Sequence, residues 1–66
     1  MSILIQTFEN ETDDSNRLIA ELFVCLLDDE QSFIECCLYH NEQKFVYNED
    51  SLLAAQRRAL QHCKLD

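Results

Sequence analysis

The sequence predicts a small single-domain α+β fold over residues 1–66, and three observations lead there. The first is length: 66 residues leave room for one core and no second domain. The second is a mixture of periods, with β-branched alternation near the start of the chain and helical spacing further along. The third is the absence of glycine and proline, which leaves turns to Asn, Asp, Ser and Glu. Those residues cluster at 9–16, 28–32, 40–43 and 48–51 and cut the chain into four segments.

The first segment, Ser2 to Phe8, alternates Ile3, Ile5 and Thr7 with Leu4, Gln6 and Phe8 and reads as a short strand. The second holds the run Leu18 to Leu27, in which Glu21 is the single polar residue. Leu18, Ile19, Leu22, Phe23, Leu26 and Leu27 recur at helical spacing, and Thr12, Asp13 or Asp14 can cap, so a helix is expected over about 15–28. The third segment fits two patterns. Phe33, Ile34, Cys37 and Leu38 share a helix face, with Asp28 and Gln31 as a capping pair, whereas Ile34, Cys36 and Leu38 share a strand face. Phe45, Val46 and Tyr47 favour a hairpin or strand over 33–47, because an isolated strand there needs a neighbour. The fourth segment predicts a C-terminal helix over about 50–64, capped by Asn48, Asp50 or Ser51, with Arg57, Arg58 and Lys64 towards its negative end. Its stripe is Leu52, Leu53, Ala55, Ala59, Leu60 and Cys63, with Gln56 set inside it. The alternative is a mainly α fold with one short strand.

A helix as apolar as 18–27 needs cover on nearly every side, and so small a chain has little material to supply it. An intertwined homodimer is therefore expected, with a dimer or partner interface on Leu18, Ile19, Leu22, Phe23, Leu26, Leu27, Leu52, Ala55, Ala59 and Leu60. Ala55 and Ala59, one turn apart, should let a second element approach closely, with Arg57 and Arg58 outward or against acidic groups of residues 1–43.

The formal charge is −8 and lopsided: residues 1–43 carry ten carboxylates against Arg17, while residues 44–66 carry four cations against three carboxylates. Phosphate backbones would meet a repulsive field, so direct nucleic-acid binding is disfavoured. The apolar run is half of what spans a bilayer, so no membrane segment is expected. Met1-Ser2-Ile3-Leu4-Ile5 runs into polar sequence without the pattern of a signal peptide, which implies a cytoplasmic chain with reduced thiols. Asn10-Glu11-Thr12 is then a coincidental match to a glycosylation acceptor.

Cys36 or Cys37, His40, His62 and Cys63 offer zinc-type ligands, but Cys36-Cys37 and His62-Cys63 are adjacent and diverge on regular elements, so no metal or cofactor is expected. Cys25, Cys36, Cys37 and Cys63 read as small buried hydrophobes. No nucleophile motif accompanies them, Asp28-Asp29-Glu30 reads as a solvated connection, and no catalysis is expected. No family motif is recognised. The resulting expectation is a small acidic accessory or regulatory protein, of the kind phages and other mobile elements encode, which dimerises and acts by binding an unidentified protein. The alternatives are an acidic nucleic-acid mimic that inhibits a DNA- or RNA-binding protein, and a small metal or thiol protein.

Overall fold

The computed structural model describes residues 1–12, 16–27 and 31–65. Four strands, β1 (Ser2–Glu11), β2 (Arg17–Leu26), β3 (Ser32–His40) and β4 (Gln43–Glu49), precede one helix, α1 (Leu52–His62). The strands form an antiparallel meander in the order β1-β2-β3-β4. Each is therefore paired with its neighbour in sequence, which keeps the connections short.

The central expectation is overturned. The run from Leu18 to Leu27 is not a helix: Arg17–Leu26 is an inner strand, hydrogen-bonded on both sides to β1 and β3. A near-continuous apolar run fits either a buried helix or a strand with both faces occupied, and neighbours decide between them. Here β1 and β3 satisfy the backbone on both edges of the run, and the helix covers one of its faces. Neither an α+β fold built around an apolar helix nor a mainly α fold describes the chain, and an intertwined dimer through that helix has no basis. Ser15, the caps proposed at Asp13 and Asp14, the Asp28–Gln31 pair and the Asp28-Asp29-Glu30 connection involve positions outside the described residues.

The other elements lie near their expected places with different limits. The N-terminal strand runs on to Glu11, and Leu4 opposes Phe23 while Gln6 opposes Leu22, which leaves Ile5 as an extra residue at a bulge. Residues 33–47 form the hairpin of β3 and β4, closed by a turn at Asn41-Glu42 with Asn41 in the left-handed region at φ 57°. The helix begins after Ser51, whose Oγ accepts from the Ala54 N–H at 3.2 Å. It ends where Lys64, at φ 56°, lets the N–H groups of Lys64 and Leu65 reach the carbonyls of Gln61 and Leu60. That arrangement is a Schellman motif with lysine at the position glycine usually fills.

Partners across a ladder share a face, so the register sorts the side chains. Leu18, Ala20 and Leu22 of β2, Cys36 and Leu38 of β3, and Ala55, Ala59 and Cys63 make the core between sheet and helix, with Phe8 and Ile34 packed against it. Ala55 and Ala59 are fully buried, so the shallow seam does admit close approach, and the element it meets is the sheet. Polar links pin the helix at its margins. Gln56 Nε2 donates to Gln6 Oε1 at 2.9 Å and Asn10 Nδ2 donates to the Cys63 carbonyl at 2.7 Å. Arg58 meets Glu49 at 2.6 Å and stacks over the Tyr47 ring at 4.0 Å, both on β4 and outside the acidic half. Arg57 is exposed.

Candidate binding face

Among the described residues, one helix covers one side of the sheet and nothing covers the other. The bare side carries Ile19, Glu21, Phe23 and Cys25 from β2 and their partners Tyr39, Cys37, Glu35 and Phe33 from β3. An antiparallel sheet that turns one face to water ordinarily alternates apolar inside and polar outside. On these two inner strands the outward positions are mostly apolar, which is why the run looked unbroken in sequence.

Small residues set between large ones make the middle of this face dense. Cys25 and Cys37 are buried with no layer above them, beneath half-buried Phe23, Phe33, Glu35 and Tyr39. Cys25 Sγ lies 3.4 Å from Ser2 Oγ, and Cys37 Sγ donates to Glu35 Oε1 at 3.5 Å. Burial pushes the Cys37 thiol up, and the Glu35 carboxylate beside it adds to the rise. Burial also raises the Tyr39 hydroxyl, helped by the Glu21 carboxylate near it. Lys44 Nζ stands 5.6 Å from the centre of the Tyr39 ring. A thiol held protonated is a poor nucleophile.

The rim is more open and mostly acidic. Leu4 and Val46 are half exposed, on β1 and β4. Thr7, Glu9 and Glu11 continue the face along β1, and Arg17 pairs with Glu9 at 2.7 Å. Four carboxylates, of Glu9, Glu11, Glu21 and Glu35, therefore share the face with two cations, Arg17 and Lys44.

The interface residues expected from sequence do not form one surface. Leu18, Leu22, Ala55 and Ala59 are in the core, Ile19 and Phe23 are on the bare face, and Leu60 is half-buried on the helix. Leu26, Leu27 and Leu52 are exposed. Phe33, Tyr39 and Val46 belong to the face and were missed; odd-numbered alternation from Phe33 to Tyr39 was the signal that could have found them. The residues weighed as metal ligands are likewise divided, with Cys36 and Cys63 in the core, Cys37 on the bare face and His62 Nε2 2.8 Å from the Tyr39 carbonyl. Among the described residues no group of three or more His, Cys, Asp or Glu is placed to hold a metal ion, and no helix is long and apolar enough to cross a membrane. Compared with known proteins, the chain matches no family model, no curated protein and no solved structure.

Proposed function

We propose that the chain is a small cytoplasmic accessory protein that acts as a homodimer, without catalysis, by occupying the surface of another protein through the bare face of its sheet. The observation that carries this reading is the apolar content of the outward positions on β2 and β3, Ile19, Phe23, Phe33 and Tyr39, opposite a helix that already completes the core. Size agrees with it. The molecule measures 45 × 23 × 15 Å, so its broad side offers on the order of 800 Å², the share one partner contributes to a standard interface. Charge selects the partner. Glu21 and Glu35 on the face suit an apolar patch with cations around it, and oppose a second copy stacked face to face, which would set carboxylate against carboxylate. Four free thiols are in keeping with a reducing compartment.

A synthetic peptide of alternating leucine and lysine carries the complementary chemistry and serves as the probe. Titrated into labelled protein, it is expected to bind saturably, to shift the side-chain resonances of Ile19, Phe23, Phe33 and Tyr39, and to lose affinity on Phe23→Glu. Affinity should change by less than about tenfold between low and moderate salt, because apolar contact dominates. An acidic mimic would instead lose a factor on the order of 10³ over the same range. Shifts confined to the helix side, or unchanged binding by Phe23→Glu, would overturn the reading.

A further inference from the structure

We infer that two copies of this chain join edge to edge through β4, fusing their sheets into one eight-stranded sheet with a continuous bare face. The inference rests on the proposed use of that face and supplies the geometry of the dimer.

Among the described residues the sheet has two unpaired edges, and they differ. β1 is bulged at Ile5 and carries Glu9 and Glu11 near its end, and both features discourage another strand from pairing. β4 has an unbroken register along all seven residues, no proline and no glycine, and exposes Phe45, Val46 and Tyr47 together. An unprotected edge of that kind is a template for another strand.

The sequence of β4 says which strand. Gln-Lys-Phe-Val-Tyr-Asn-Glu is close to symmetric in character about Val46. Laid antiparallel on itself, it sets Val46 against the Val46 of the second copy, Phe45 against Tyr47, Lys44 against Asn48 and Gln43 against Glu49. Aromatic pairs of this type stabilise cross-strand contacts, and no like charges are opposed. The two-fold axis stands perpendicular to the sheet, so the bare faces of both copies lie on the same side. Phe45 and Tyr47 then meet their counterparts on the helix side, where Arg58 already stacks on Tyr47.

Backbone parity agrees. The two-residue turn at Asn41-Glu42 closes on the pair His40–Gln43, which must be a hydrogen-bonded pair. Alternation along β4 then aims the N–H and C=O groups of Lys44, Val46 and Asn48 away from β3, at the open edge. A two-fold axis at Val46 uses those groups in about six main-chain hydrogen bonds between copies.

The same parity gives a clean test. Proline at 46 removes an N–H that no bond within the chain uses, so Val46→Pro leaves the fold of one copy intact and takes away both central bonds between copies. Sedimentation equilibrium at micromolar concentration is expected to give twice the 7.8 kDa chain mass for the parent and the chain mass for Val46→Pro. Circular dichroism should show the same strand and helix content in both. Val46→Lys, which places two ammonium groups together at the axis without touching the backbone, replaces the proline variant should that unfold, and is also expected to run at the chain mass. Phe23→Glu separates the two readings: it should abolish binding of the leucine–lysine peptide and leave the dimer mass unchanged. A monomeric parent, or a dimer that persists in folded Val46→Pro or Val46→Lys, overturns edge pairing. Intact peptide binding by a dimeric Phe23→Glu overturns the face alone.

Discussion

Cys36 shows how a single side chain records the packing around it. Its thiol is fully buried beneath the helix, with the Ala55 carbonyl 3.9 Å away, and burial pushes its pKa from 9.0 up to about 11. The unfolded chain releases this proton at the ordinary value, while the folded chain retains it. Stability from this group is therefore complete below pH 9, falls between 9 and 11 as the unfolded state binds fewer protons, and is lost as pH passes the folded value. The expected decline is about 2 kcal/mol, and Cys37 and Cys63, raised by the same cause, slope in the same direction. Urea midpoints at pH 8, 9.5 and 11 should fall in the parent and fall less in Cys36→Ala; equal slopes would mean the thiol is not where it titrates against folding. Under the same helix Ala59 is fully buried, so Ala59→Leu should cost roughly 1–3 kcal/mol by overpacking. Arg58→Ala should cost about 1 kcal/mol, since the pair with Glu49 is partly exposed and the stack on Tyr47 adds little.

At the level of elements, the chain bends without glycine, and two residues bear the consequence. Asn41 turns the β3–β4 hairpin and Lys64 ends the helix, both with positive φ. Asparagine accepts that region readily, whereas lysine has no short polar side chain to bond the local backbone and offset its Cβ clash. Lys64→Gly is expected to raise the unfolding free energy by about 1 kcal/mol, Asn41→Gly to change it by less, and Asn41→Ile to lower it by about 1–2 kcal/mol, as read from urea denaturation. A destabilised Lys64→Gly would show that the lysine makes a contact stronger than its backbone strain. The hairpin and the C-terminal helix were legible because each carries a local signal: aromatic and β-branched residues beside a polar turn, and a serine cap before an amphipathic stripe. The strand β2 was not. Leucine and alanine at Leu18, Ala20 and Leu22 favour a helix by propensity, and the alternate positions Ile19, Phe23 and Cys25 are apolar for a reason the strand itself does not contain. Period two is erased when both faces of a strand are apolar, so the signal that hid the fold is the one that marks the bare face of the sheet.

For the molecule as a whole, charge works against compactness. A net charge of −8 is folded into a body with a radius of gyration of 12.5 Å, and residues 1–43 hold ten of the thirteen carboxylates. Two ion pairs, Arg17–Glu9 and Arg58–Glu49, engage two of the five cations among the described residues, and both are partly exposed. Added salt weakens such pairs slightly and screens the repulsion among the remaining carboxylates at longer range. Repulsion among many charges outweighs two surface attractions, so the melting temperature should rise as sodium chloride is taken from about 10 mM, where the screening length is about 30 Å, to about 150 mM, where it is about 8 Å. The rise should be shared by Val46→Pro, because screening acts within one copy as well as between copies. It should shrink when Glu9 and Glu11, neighbours on the β1 edge, are both replaced by glutamine. Thermal melts followed by circular dichroism at fixed protein concentration measure it, and a melting temperature that falls with salt would mean that the ion pairs, and not the surplus of carboxylates, dominate the electrostatics of the fold.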